Sequence, residues 1–431
     1  MDVRRFGPWA AGRPFLSAKA LDVYGHEYAI HYPHQERPAG RPLQTDPLYE
    51  RLGARGAVFG LKQGWERALW FAPEGVTPED ELTFRRPNWF DHVGAECRAV
   101  RERVGVLDQT SFGKLEVTGP GTEAFLDGLS ANALPAQGRV AVTQLLNARG
   151  GIECDLTITR LADDRFYVVT AAATQVRDRE HLRRALPDDG SVRIDDVTDA
   201  VGVLTVAGPR SRELLSTLTD DDLSNEGFRF LSARRIRIGS APVLAMRISY
   251  VGELGWELHM PIGWLRHVDD RLREAGEPLG LVDFGYRALD SMRMEKGYRL
   301  FGADLSPDHT PFEAGLDRLV KLEGRSFVGA DALRRQLEEG VPVRLACLTV
   351  EVDDALPHGD EPVLDGDGTV VGYVSAAEYG HVVEAAIALA YLPPALAVAG
   401  TPLSVDVLGE RRPATVVDAP LYDPGDTKLR S

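Results

Sequence analysis

The chain has 431 residues, a length that admits two to four domains. Its hydrophobic fraction of 44% supports a sizeable buried core, and the charged fraction of 26% is that of a folded protein rather than a disordered one. The formal net charge of -16 repels phosphate backbones and anionic membrane surfaces, which argues against nucleic-acid and membrane partners. A polyanionic ligand would need a locally basic pocket against that field.

The first fifteen residues, MDVRRFGPWAAGRPF, lack the apolar run of a signal peptide. No segment reaches the roughly 18–20 apolar residues of a membrane span. A soluble, cytoplasmic protein is expected. Residues 1–75 are rich in Pro, Gly, Tyr, Trp and Arg, and prolines at 33, 38, 42 and 47 interrupt any long helix. An irregular segment is expected, with one short helix near 47–54, packed on the remainder of the chain. Residues 76–90 read as a polar connector.

From Phe90 the pattern changes. Val93, Cys97, Val100 and Val104 recur at three and four residues, an amphipathic helix. KLEVTGP alternates as a strand ending in a Gly-Pro turn, and GTEAFLDGLSANAL resumes helical spacing. Strands run from Arg139 to about Ala171, with turns at Arg149-Gly150-Gly151 and Ala162-Asp163-Asp164, and then a helix over about 174–186. VGVLTVAGPRSRELLSTL repeats the strand, Gly-Pro turn and helix order, so two related α+β halves are expected. WLRHVDDRLREAG and DFGYRALDSMRMEKG read as helices. From about Val341 short strands separated by Gly, Pro and Asp turns predict a small all-β barrel or sandwich.

Several chemistries have no motif here. The nearest approach to a dinucleotide loop is Gly-Pro, and proline has no N–H to give a pyrophosphate. There is no Walker sequence and no metal-binding spacing, so no metal is expected. His31 and His34 lie close together without nearby carboxylate or thiol partners in sequence. Cys97, Cys154 and Cys347 are far apart and odd in number, which points to neither disulfides nor a zinc cluster.

Three segments carry candidate chemistry. In Gly150-Gly151-Ile152-Glu153-Cys154-Asp155-Leu156 a tight turn feeds a strand, on which Asp155 shares a face with Glu153 and Thr157 while Cys154 points the other way. This is either a hairpin with solvated acids or a placed carboxylate. In Tyr250-Val251-Gly252-Glu253-Leu254-Gly255-Trp256-Glu257 an acid stands between glycines beside two aromatics, which serves a hairpin turn or a flat ligand stacked on Tyr250 or Trp256 with its N–H groups on Glu253. Over Tyr286–Arg299 a helix capped at Gly297 explains most residues. Arg287 at its start opposes the helix dipole, and its planar fork suits a carboxylate or a heteroaromatic ring.

Together these motifs resemble the glycine-cleavage T-protein family of tetrahydrofolate-dependent aminomethyltransferases, and more particularly the folate-binding half of dimethylglycine and sarcosine dehydrogenases. VGVLDQTSFGKLEVTGP, LLNARGGIECDLTITRL, ISYVGELGWELHMP, ALDSMRMEKGYRLFGADLSPDHTPFEAGL and the late YDPG carry the likeness. Residues 1–75 resemble the connector after the flavin domain of those enzymes, and the flavin-binding motif itself is not in this sequence. The resemblance implies a multidomain α+β cloverleaf with mixed and antiparallel sheets and a C-terminal β-barrel. The expected division is a connector over 1–89, a folate-binding catalytic region over 90–338 and the barrel over 339–431. It implies tetrahydrofolate as cofactor, Asp155 as catalytic residue, and Glu253, Tyr250, Arg287 and Trp256 as cofactor-binding residues. Cys154 stands where the simple T-protein has a second acid. The implied reaction is demethylation of a small N-methylated substrate, the carbon being captured as methylene-tetrahydrofolate with a separate flavin oxidoreductase as partner. Redox-neutral O- or S-demethylation, methylene transfer from folate to a metabolite, and a non-catalytic folate-holding subunit are the alternatives.

Overall fold

In the computed structural model, which describes residues 7–431, two antiparallel-rich sheets face one another and a closed barrel stands beside them. The first sheet has six strands in the order Ala233–Ile238, Ala241–Met246, Gly255–Pro261, Val201–Ala207, Val104–Asp108 and Leu281–Asp283. Only its last pair is parallel. The second sheet has five antiparallel strands in the order Val140–Leu146, Ile152–Ala162, Arg165–Thr170, Gly113–Thr118 and Arg193–Asp196. Six strands from Arg344–Val350 to Glu410–Val417 close the C-terminal barrel, which leaves it no free edge. The α+β class and the barrel are therefore as expected.

The strand, Gly-Pro and helix unit occurs once in each sheet, leading into the helices Thr122–Leu129 and Ser211–Ser216. Its glycines, Gly119 and Gly208, share φ values of 119° and 125°. At each a Cβ would come within 2.6 Å of a backbone oxygen, so neither position accepts a side chain.

The first 75 residues are more regular than their prolines indicate. Arg13–Gly25 is a helix, and Ala57–Lys62 pairs with Trp65–Phe71 in a hairpin. Gln63 and Gly64 both take positive φ, 51° and 91°, as a two-residue turn of this hand requires. Trp70 of this hairpin is fully buried in a core it shares with Trp89, Phe284 and Met292. Nine of the ten residues of the helix Tyr286–Glu295 are buried. No helix among the described residues is long and apolar enough to cross a membrane.

Candidate active site

The Gly-Gly turn is locked by the loop that crosses it. Gly150 has φ 87°, and a Cβ on Gly151 would stand 1.9 Å from the Pro307 carbonyl oxygen, so only glycine lets that backbone pass. Asn147 accepts hydrogen bonds from the Arg149 and Gly151 N–H groups at 2.9 and 3.0 Å, and the Ile152 N–H donates to the His309 carbonyl at 3.0 Å. The strand that leaves this turn alternates: Ile152, Cys154 and Leu156 are buried while Glu153, Asp155 and Thr157 are half-buried. Glu153 is ion-paired to Arg177, and Cys154 faces the apolar core of its own sheet.

Asp155 pairs across the ladder with Gln144, whose amide donates to its Oδ1 at 2.8 Å. Burial pushes the Asp155 carboxyl up to about 6 against the pull of that hydrogen bond. The residue lies deep in the protein and still keeps some solvent-accessible surface. Tyr250 shows the same combination, and its phenol is pushed up by burial, with Asp155 among the charges that add to the rise. Tyr250 stacks on Tyr298 with ring centroids 5.6 Å apart and planes 19° apart. Its hydroxyl donates to the Arg299 carbonyl at 2.6 Å, and Arg293 donates to the Tyr298 carbonyl at 3.1 Å. Glu378, deep yet half-buried on a barrel strand, has its carboxyl pushed by burial up to about 7.

On Gly255–Pro261 the side chains again alternate. Trp256, Leu258 and Met260 enter the core of the six-stranded sheet, and Glu257 turns to the other face with 17% of its side chain exposed. A hydrogen-bonded chain from the opposite sheet reaches it: Tyr167 Oη lies 3.1 Å from His259 Nδ1, and His259 Nε2 lies 3.3 Å from Glu257 Oε2. Burial holds the imidazole below its ordinary value. The neutral ring then takes the Tyr167 proton donor at Nδ1 and donates from Nε2 to the carboxylate. Residue types alone gave Glu257 no role. Its alternation with core-facing Trp256 is the signal that distinguishes it.

Three of the expected cofactor contacts, Glu253, Trp256 and Arg287, are engaged by other side chains of the protein. Glu253 is 1% exposed, receives Arg101 Nη1 at 3.2 Å and Tyr422 Oη at 2.5 Å, and is closed off by them. Arg101 also donates to Glu295 at 2.8 Å and lies 3.7 Å above the Tyr422 ring, so the acid belongs to a buried clasp between helices, barrel and C-terminal tail. Trp256 is wholly buried against Phe228 in an edge-to-face pair. Arg287 makes a bidentate pair with Asp80 at 2.8 and 2.6 Å and stacks 4.2 Å from the Trp89 ring. Those partners account for the cation at the helix start without a ligand. A cavity of about 570 Å³ between Phe90 and the barrel has none of Asp155, Tyr250 or Glu257 in its lining.

Known proteins are similar in sequence over the whole chain. Residues 48–324 match the GCVT N-terminal domain and residues 344–423 the glycine cleavage T-protein C-terminal barrel domain. The chain belongs to the glycine-cleavage T-protein family. Residues 1–45 match the FAD dependent oxidoreductase central domain. Mitochondrial dimethylglycine dehydrogenase of Mus musculus is 38% identical over 435 residues, covering 100% of this chain and 50% of the mouse protein. The aminomethyltransferase of Symbiobacterium thermophilum is 32% identical over 389 residues, covering 88% of this chain and 97% of its own length. The crystal structure of glycine cleavage system aminomethyltransferase T from Bartonella henselae superposes with a TM-score of 0.76 at 27% identity, over 88% of this chain and 98% of that one. The chain spans about half the length of the first curated relatives it matches.

Proposed function

We propose that this member of the family binds tetrahydrofolate beside Asp155 and takes up a one-carbon unit there from a small N-methylated amine. The observation that carries the reading is the meeting of a deep, half-open carboxyl of raised pKa with a stacked tyrosine pair. The residues present fit a pterin. Tyr250 and Tyr298 offer flat surfaces, Glu257 offers an oriented carboxylate, and the buried Gln144 Oε1 has no hydrogen-bond partner among the described residues and can accept an N–H.

When bound, tetrahydrofolate supplies the nitrogen nucleophiles that accept the carbon. Glu257, kept in place by His259, would receive the ring N–H donors in charge-assisted hydrogen bonds. Asp155 would face the positive charge of the iminium substrate and stabilise it; its carboxylate would accept the proton given up by the attacking nitrogen and return one to the amine nitrogen as that leaves. The Gln144 amide fixes its carboxyl plane. Oxidation of the methylated amine to the iminium is assigned to a flavin oxidoreductase, supported by the match of residues 1–45 and by the likeness to dimethylglycine dehydrogenase.

Calorimetric titration with tetrahydrofolate, and then mass spectrometry for folate-dependent demethylation of candidate amines in the presence of a flavoprotein, tests the reading. Absence of folate binding sinks it. The Symbiobacterium aminomethyltransferase, matched over 97% of its length, supports a second reading, aminomethyl transfer with no oxidative step. Folate-dependent turnover without any flavin would favour that one.

A further inference from the structure

Arg67 is a guanidinium held in place without a charged partner. It lies half-buried on the strand Trp65–Phe71 and stands 3.6 Å above the Tyr286 ring. Two contacts fix that strand against the start of the helix Tyr286–Glu295. Glu96 accepts the Phe71 and Gly285 N–H groups at 2.7 and 2.8 Å, and Gly285 lacks the side chain that would meet the Leu69 carbonyl oxygen. The Arg67 Nε is buried without a hydrogen-bond partner, and no carboxylate among the described residues makes an ion pair with this guanidinium. The neighbouring acids are engaged elsewhere: Glu66 accepts from Arg41 at 3.0 Å, and Asp80 takes Arg287 at 2.8 Å. Asp108, whose charge reaches Tyr286, has its carboxyl pushed up by burial and by Asp46. A half-buried cation loses hydration, and a ring face returns only part of that loss. The fork of Arg67 is therefore set for an anion from outside the chain.

Its place indicates which anion. Tyr286, Asp290 and Arg293 recur at four and three residues, so they share one face of their helix. Asp290 is the one residue of that helix that is not buried, with 44% of its side chain exposed. At the far end of the face Arg293 donates to the carbonyl of Tyr298, whose ring stacks on Tyr250. Tyr250 and Tyr286 adjoin one apolar core. The helix rise sets Tyr286 about 10 Å from Arg293 along the axis. A ligand with its ring at Tyr250 that extends along this face brings its other end to Arg67. The cations nearer the ring are taken, Arg293 by Asp304 at 2.8 Å and Arg299 by the Ala314 carbonyl at 3.0 Å. Against a net charge of -16 an anionic ligand needs such a local cation. We propose that Arg67, seated on Tyr286, is a carboxylate-binding subsite of the candidate active site. Two carriers bring that group: the glutamate end of tetrahydrofolate, and an amine substrate that is itself an amino acid. From either, the carboxylate accepts paired hydrogen bonds from the Arg67 fork. This deepens the proposed function and rests on it.

The test is calorimetric titration of the full chain, parental and Arg67→Gln, with two pairs of probes. Tetrahydrofolate is set beside 6-methyltetrahydropterin, which keeps the ring and lacks the glutamate. N-methylglycine is set beside N-methylethylamine, which lacks the carboxylate, each with and without saturating tetrahydrofolate. If the tail supplies the carboxylate, Arg67→Gln weakens tetrahydrofolate at least tenfold and leaves the pterin within twofold. If the amine supplies it, the same change weakens N-methylglycine at least tenfold and spares N-methylethylamine. Arg67→Lys keeps the charge without the fork, so it is expected to lose less than Arg67→Gln, and it carries the test should Arg67→Gln fail to fold. Unchanged affinity for both carboxylate-bearing probes overturns the subsite. So do equal losses within each pair, which make Arg67 a structural residue. A parent that binds no tetrahydrofolate sinks the earlier reading, and the amine pair without folate then decides the subsite by itself.

Discussion

Replacing each acid of the Gly-Glu-Leu-Gly-Trp-Glu segment by its amide separates a clasp from a ligand contact. Glu253 is 1% exposed and accepts from Arg101 at 3.2 Å and Tyr422 at 2.5 Å. In Glu253→Gln one oxygen still accepts, but the charge is gone and the new NH2 group faces donors. Glu295 continues to neutralise part of Arg101 at 2.8 Å. Hydrogen bonds to charged groups contribute about 1.5–3 kcal/mol, and breaking a buried pair costs about 3–5, so a loss of about 2–4 kcal/mol of stability is expected. Glu257 has 17% of its side chain exposed and one hydrogen bond from a neutral imidazole, so Glu257→Gln costs only about 0.5–1.5 kcal/mol of stability. Its expected effect is on folate, with affinity falling roughly 10- to 100-fold through loss of charge-assisted bonds. Urea unfolding read by tryptophan fluorescence, beside calorimetric titration with tetrahydrofolate, measures both quantities on both variants. The reasoning fails if Glu253→Gln is as stable as the parent and has lost folate, while Glu257→Gln binds it normally.

The same geometry sets other expectations. Asp155→Asn keeps a partner for the Gln144 amide, so folate binding should persist while turnover falls about 10²- to 10³-fold; equal losses in both would make Asp155 a mere binding residue. If the ionised Asp155 carboxyl does the work, parental turnover declines as pH drops through about 6, and a flat profile from pH 5 to 8 would contradict this. Glu96, buried and accepting the Phe71 and Gly285 N–H groups at 2.7 and 2.8 Å, is pushed up to about 8 by burial. Between its ordinary 4.5 and about 8 the folded protein holds a proton that the unfolded chain has released. Stability should therefore fall as pH rises through that window, by up to ~1.4 kcal/mol per unit, and Glu96→Gln should flatten the slope in urea unfolding at several pH values. Gly151→Ala forces a Cβ against the Pro307 carbonyl and should cost about 1–3 kcal/mol, measurable by the same unfolding assay.

Elements whose signal is local were legible. Alternation and turn residues marked the barrel, and the apolar face of Phe90–Glu102 marked that helix because Val93, Cys97 and Val100 all point into one core. Arg13–Gly25 was missed for the opposite reason. None of its residues is buried and its apolar side chains fall on every side, so residue spacing did not report a buried stripe. The hairpin turn at Gln63-Gly64 lacks the Asn or Asp that usually announces it.

Within the site the division is sharper, because an acid's role is decided by what else claims it. Glu253 sits between glycines beside a tyrosine, and locally that is the more inviting carboxylate. Arg101, 152 residues earlier, and Tyr422, 169 residues later, fill its oxygens. Arg287 likewise met Asp80, 207 residues away. No spacing rule reaches such partners, since only the tertiary fold brings segments so distant in sequence together. Strand parity does reach Glu257. Once Trp256 and Leu258 are assigned to the core, the residue between them must emerge on the other face, where the two sheets confront one another and His259 aims it. An acid chosen by neighbouring residue types is therefore a weaker candidate than one chosen by the face it must occupy. Asp155 satisfies both criteria: the turn before it admits only glycine where the backbone of residue 307 passes, and its strand face is the half-open one.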